Sequence, residues 1–207
     1  MTTSAPVPRL GGFTGICFTL LVFSVPAVAQ RGALTRPLNI AQLVAQSAVI
    51  VRGHVTSARV EPHPDLRHIF TVVVTLRVDE TLKGHAAQNF TFRQFLWDVR
   101  DRYDAAGYRK GQHLLLLLNP PTRYGLTSPA GLERGRFRIT RDAQGREMAT
   151  NGRGNTGLFR GLGERLQRQR LTLGPRATAL IQQQPAGPIA LDDLRELTRQ
   201  LQLVNLE

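Results

Sequence analysis

The chain has 207 residues, 42% of them hydrophobic, with a mean hydropathy of -0.18 and a formal net charge of +12 at neutral pH. That length predicts one domain with tails, and that apolar content excludes a wholly disordered chain. A single cysteine, Cys17, leaves almost no room for disulfide or thiol chemistry.

Met1 to Arg9 carries one positive charge, Ile16 to Val25 is a short apolar core, and Ala27-Val28-Ala29 is an A-x-A cleavage box. Together they read as a secretory signal peptide over residues 1–29. The apolar core is too short for the ~20-residue helix that crosses about 30 Å of hydrocarbon. Cys17 has Ile16 ahead of it and lies before most of the apolar core, which is the wrong setting for lipidation. Cleavage after Ala29 would remove Cys17, leaving no disulfide, thiolate nucleophile or cysteine ligand. It would also remove Arg9, taking the net charge from +12 to +11. The expected location is periplasmic or extracellular, with no membrane span after cleavage.

The remaining charge is almost all arginine, since Lys83 and Lys110 are the only lysines. Two readings stand. The charge attracts polyanions, or a GC-rich genome supplies arginine to an ordinary solvated face.

Residues 30–38 are a polar lead-in with Pro and Gly. Asn39 can cap a short helix whose apolar face is Ile40, Leu43 and Val44, ending at Ser47. Val49 to Val60 is a strand with Val49, Val51 and Val55 on one face and Arg52, His54 and Thr56 on the other. Gly53 inside it suggests a bulge or tight bend. After a Pro-containing loop, Ile69 to Glu80 is the most regular strand: Phe70, Val72, Val74, Leu76 and Val78 point inward and Thr71, Thr75, Arg77 and Asp79 outward. Gly84 supplies the turn.

Asn89 to Leu96 is a third strand. Trp97 to Lys110 is ambiguous between a helical turn and a loop. His113 to Leu118 is a short, continuous apolar run stopped by Pro120 and Pro121, as in a strand buried on both faces. Tyr124 to Thr127 is a candidate edge strand. Gly135 to Thr140 alternates, with Arg136 and Arg138 outward, and Asp142 to Gly145 turns it back into Arg146 to Ala149. Residues 161–188, rich in Arg, Gln and Pro, read as a linker. Residues 189–207 carry an amphipathic helix with Leu191, Leu194, Leu197 and Leu201 in one stripe and Asp192 and Asp193 complementing its N-terminal dipole.

The order LVAQSAVIVRGHV, IFTVVVTLRVDETLKG, KGQHLLLLL and GRFRITRDAQG resembles a class of bacterial exported proteins with a single OB-type barrel. It is similar to the inhibitory domain of tissue inhibitors of metalloproteinases and to netrin modules. The resemblance covers about Asn39 to Phe159. It implies a mainly β fold: an OB-like antiparallel β-barrel over residues 39–160, with a short N-terminal helix and a C-terminal helix. Those inhibitors chelate a target's zinc through an N-terminal cysteine. Without one, the resemblance implies a fold and a location, and fold alone does not carry function.

Catalytic motifs are lacking. Ser57, His54 and Asp79 are triad residue types, yet no G-x-S-x-G elbow surrounds any serine. Asp79 and Glu80 are neighbours on a strand, so they should face opposite ways. His63, Asp65 and His68 share a loop and are suitable zinc ligand types, but a Pro-containing loop does not orient both rings, so no metal site is expected there. Gly152 to Gly157 matches G-x-G-x-x-G without the following helix and acid of a dinucleotide site. No cofactor is expected.

The outward arginines Arg52, Arg77, Arg93, Arg136 and Arg138 are the candidate polyanion contacts. Trp97, Tyr103, Tyr108 and Tyr124 are available for stacking or for rim packing. Export disfavours nucleic acid and points to acidic polysaccharide or another envelope protein. The expected function is a non-enzymatic binding or structural module of the bacterial envelope. The alternatives are a protease-inhibitor-like module, or a hydrolase acting on an envelope polymer. The hydrolase requires two of His54, His68, His113 and the acids to meet within hydrogen-bond distance in a cleft.

Overall fold

The computed structural model describes Met1 and residues 37–183 and 186–204. The chain divides into two units, Met1–Arg31 and Gly32–Glu207, and every strand and helix described below belongs to the second. The expected signal peptide beyond Met1 and all but the last two residues of the expected lead-in lie outside the described residues.

Seven strands form one antiparallel sheet in the order β3-β2-β1-β4-β5-β6-β7. They are β1 (Val49–Pro62), β2 (Phe70–Lys83), β3 (Asn89–Phe95), β4 (His113–Leu118), β5 (Arg136–Arg141), β6 (Glu147–Asn151) and β7 (Ile189–Ala190). Five helices accompany them: α1 (Ile40–Gln46), the single turn α2 (Asp101–Asp104), α3 (Leu162–Arg168), α4 (Pro175–Gln183) and α5 (Leu191–Leu203).

The centre is β4, buried on both faces as its unbroken apolar run requires. Leu115 and Leu117 join one core with Ile50, Phe137, Leu158 and Phe159 and with the buried sides of α1, α3, α4 and α5. Leu114, Leu116 and Leu118 join a second core with Val51, Val55, Val72, Val74, Leu76 and Phe92. One strand thus carries two cores, because its alternate side chains point to opposite faces.

Helix α1 has polar partners at both ends. Asn39 and Gln42 form a capping box at the start of α1, with reciprocal bonds of 3.0 Å. Lys83 Nζ donates to the Val44 carbonyl at 2.7 Å near its other end, where orphan carbonyls attract a cation. The leucine stripe of α5 is buried against the sheet.

Three expectations change. The sheet does not close into a barrel; β3 and β7 are its edges. The β4–β5 ladder ends at Leu116–Arg136, and the loop beyond β4 spans to β3 through only two isolated bridges, Leu118–Pro129 and Arg93–Leu126. Pro120, Pro121 and Pro129 lack the N–H a full ladder needs. Tyr124 to Thr127 is not a strand either: Gly125 N–H donates to the Thr122 carbonyl at 2.9 Å in a turn, and Leu126 makes one isolated bridge to Arg93. Finally, the stretch expected to be a linker holds α3 and α4, which bury Leu162 and Leu166, and Ala177, Leu180 and Ile181. Those apolar residues recur at helical spacing inside two segments too short for a sustained period. The G-x-G-x-x-G stretch is likewise an ordered turn. Asn155, fully buried, donates to the carbonyls of Ala149 (2.9 Å) and Gly187 (2.7 Å).

The longest pairing, β1 with β2, breaks register three times. At one break Arg52 faces Glu80 and Gly53 faces Val78, leaving Asp79 unmatched. That is a β-bulge. A Cβ on Gly53 would lie 2.4 Å from the Arg77 carbonyl oxygen, so the close approach requires glycine. Gly53→Ala should lower stability by about 3 kcal/mol, read as a drop in the urea midpoint. Gly163→Ala, where an added Cβ meets nothing nearer than 3.7 Å, is the control and should not lower it.

Candidate functional site

The bulge decides what meets what. In a regular strand Asp79 and Glu80 would point to opposite faces. The unmatched Asp79 brings both carboxylates to the side of the sheet that carries His54 and Arg52. His54 on β1 lies directly across from His113 at the start of β4. Their rings stack with centroids 4.1 Å apart and planes 10° apart. Asp79 Oδ2 is 3.0 Å from His54 Nδ1 and 3.3 Å from His113 Nε2. Both ring nitrogens are buried, yet neither makes an aligned hydrogen bond. The contact is one of distance without direction. Although Asp79 as a residue is exposed, its side chain is only 24% so.

Behind this trio runs a chain of ion pairs. His113 Nδ1 lies 3.6 Å from Glu147 Oε1 on β6. Arg52 Nη1 lies 3.3 Å from Glu147 and Arg52 Nε 3.4 Å from Glu80. Glu80 Oε1 accepts from Arg195 at 2.7 Å and Arg199 at 2.6 Å, both on α5. Burial alone would raise the Glu80 carboxyl, but the hydrogen bond from Arg195 and the charges of Arg195, Arg199 and Arg52 hold it below its ordinary value. Burial lowers His113, and His54 beside it lowers it further, against the pull of Glu147 and Asp79. His113 is therefore neutral near pH 7.

The hydrolase reading finds its first requirement met, since His54 and His113 both reach Asp79. The rest is missing. Ser57 makes no hydrogen bond to His54 among the described residues, and neither principal concavity includes His54, Asp79 or His113. One of these concavities, about 290 Å³, is lined by Gln112, Glu133, Arg136, Arg138, Thr140 and Thr150. The other is lined by Phe70, Phe95, Val99 and Arg102, with His68 at its side.

The five arginines expected to face a polyanion separate into two groups. Arg52 is held in the network above. Arg93 donates to Glu61 and to Thr71 Oγ1, each at 2.7 Å. Arg136 donates to Glu133 and to the Ala106 carbonyl at 2.7 Å, and lies 4.7 Å over the Tyr108 ring. Its side chain is 18% exposed. Only Arg77 and Arg138 are exposed. Alternation along a strand indicates outward direction and not whether a carboxylate waits there.

The loop residues do not gather. His63 is buried, its Nδ1 accepting from the backbone N–H groups of Asp65 and Leu66 and its Nε2 2.9 Å from the Tyr124 carbonyl. It organises the loop, while Asp65 and His68 remain exposed. Of the aromatics, Trp97, Tyr103 and Tyr124 are exposed and Tyr108 is buried.

Sequence reasoning missed Glu80 and Glu147 as site residues, and it missed a second basic group. Arg134, Arg153 and Arg160 stand close enough that the charges of the last two, added to burial, lower Arg134. Among the described residues none of the three pairs with a carboxylate. They lie 7 to 26 positions apart on loops, with no periodicity to join them. No protein-family model, curated protein or solved structure matches the chain.

Glu80→Ala should leave Arg52 with Glu147 alone and Arg195 with Asp192 alone, and cost about 2 kcal/mol in urea denaturation. That is below the ~3–5 kcal/mol of a fully buried pair because Arg199 is half exposed. Tyr108, whose hydroxyl donates to Gln94 at 3.0 Å, is pushed up to about 12 from 10.0, mainly by burial. A folded value above the unfolded one means its contribution is complete below pH 10 and lost as pH rises toward 12. Tyr108→Phe should flatten that alkaline limb in pH-dependent melting, while costing about 1 kcal/mol at pH 7 for the lost bond.

Proposed function

We propose that this protein is a non-enzymatic binding module of the bacterial envelope, exported by its signal peptide, that engages an acidic polymer such as a polysaccharide. The observation that carries the reading is the Arg134–Arg153–Arg160 group. Several other guanidiniums are matched to carboxylates, those of Arg52, Arg93, Arg100, Arg136, Arg146, Arg195 and Arg199. These three have none among the described residues, and Arg153 and Arg160 each repel Arg134, so holding them near it costs free energy that a bound polyanion would return. Exposed Arg138, with Thr140 and Thr150, adds a cation and hydroxyl donors in the concavity formed by β4, β5 and β6.

Kinship with exported OB-type proteins belongs to the same proposal. What supports it is the strand order of residues 39–159, together with the curling of β1, β2 and β3 toward the loop after β4. It contributes a location and no chemistry.

The test is retention on immobilised heparin. The wild type should elute at a salt concentration well above that of a variant with Arg134, Arg153 and Arg160 all changed to alanine. In solution the slope of log affinity against log salt should fall by roughly one per arginine removed, as counterion release requires. Triple-variant retention equal to wild type, or wild-type binding that does not weaken with salt, would refute the reading.

A further inference from the structure

We propose that His54, Asp79 and His113 form a binding site for a divalent transition-metal cation of the zinc class. The donor atoms are two imidazole nitrogens and one carboxylate oxygen, a set suited to zinc and its borderline neighbours and poorly suited to calcium or magnesium. They come from three adjacent strands of one sheet and not from a loop, which gives a site the rigidity that a metal selects for.

The spacing fits. Ligands at about 2.1 Å from a tetrahedral ion sit about 3.4 Å from one another. Asp79 Oδ2 lies 3.0 and 3.3 Å from the two ring nitrogens, and all three donor atoms fall within 4.8 Å of each other. Those nitrogens are buried and unpartnered, a condition folded proteins seldom leave without a reason. Asp79 itself has no guanidinium within ion-pair distance among the described residues, unlike Glu80 and Glu147.

A second feature points the same way. A metal-bound histidine commonly turns its other ring nitrogen toward a carboxylate, which orients the ring and raises its basicity. Here His113 faces Asp79 through Nε2 and Glu147 through Nδ1, at 3.6 Å, and Glu147 is itself held by Arg52. Glu147 is a positioning residue in this scheme.

One adjustment is required. A metal lies in the plane of each imidazole that binds it, and two rings stacked 10° from parallel cannot share such a point. One ring must turn about its Cβ–Cγ bond. His54 has the room, with a side chain 37% exposed against 14% for His113. Loading therefore breaks the stack. Three protein ligands leave the remaining coordination to water.

The inference draws nothing from the arginine group, so heparin retention should be the same in the histidine variants. The untagged chain, stripped with EDTA, is titrated with Zn²⁺ by calorimetry and with Co²⁺ by visible absorption. One saturable equivalent is expected, together with the ligand-field bands of a low-coordinate ion. His54→Gln and Asp79→Asn should each weaken Zn²⁺ by more than about 100-fold and Glu147→Gln by about tenfold, whereas His68→Gln and His85→Gln should change nothing. His54 is the most exposed ligand, so His54→Gln decides the matter even if Asp79→Asn unfolds. Absence of saturable uptake by the wild type overturns the proposal. So does full Zn²⁺ affinity in His54→Gln with a wild-type melting curve.

Discussion

One unmatched residue in β2 sets the arrangement of the polar centre. With Asp79 bulged opposite Gly53, the chain presents two successive carboxylates on one side of the sheet. Asp79 goes to the histidine pair and Glu80 to the arginines of β1 and α5. Bulges re-aim side chains in this way and need a partner strand that tolerates the close approach. Gly53 provides it, since any side chain there would strike the Arg77 carbonyl. Glu80 then ties α5 to the sheet through Arg195 and Arg199, while Leu191, Leu194, Leu197 and Leu201 supply the apolar part of the same contact.

β4 is the second constraint. Its leucines alternate between the helix-covered core and the core within the curled β1–β2–β3 layer. Neither layer stands alone, because each borrows half of one strand. His113 opens that strand on the helix side, where the apolar core gives way to charge. Its position at the boundary explains both its partial burial and its neutrality: desolvation disfavours the imidazolium, and the stacked His54 adds to the penalty.

The charge of +12 is not spread as a uniform basic face. Some arginines pair with carboxylates distant in sequence, such as Arg195 and Arg199 with Glu80, and the net charge is carried by those that do not. Among the described residues, arginines without a carboxylate partner include Arg134, Arg153 and Arg160 in the loops before β5 and after β6, and the exposed Arg77 and Arg138 on β2 and β5. Net charge describes the field at long range, whereas ligand contact depends on which guanidiniums lack a partner.

Local pattern was enough for β1 to β6 and for the two-faced burial of His113 to Leu118, because period-two alternation and unbroken apolar runs are properties of consecutive residues. β7, Ile189–Ala190, lay where the helix was expected to begin. Local pattern was also enough for the Asn39 cap, for the leucine stripe of α5, and for Gly53 as an irregular point. It could not show that Asp79 is the residue expelled there, because a bulge is a mismatch between two strands and is invisible in either alone. The openness of the sheet and the burial of α3 and α4 depend on tertiary pairing, and the meeting of His54, Asp79, His113 and Glu147 depends on pairings across 25 to 59 positions. The sequence by itself determined the alternation of the long strands, the N-terminal cap of α1 and the apolar stripe of α5. Only the tertiary structure decided which carboxylate meets which cation, because ion pairs and donor clusters form by distance in space and leave no period along the chain.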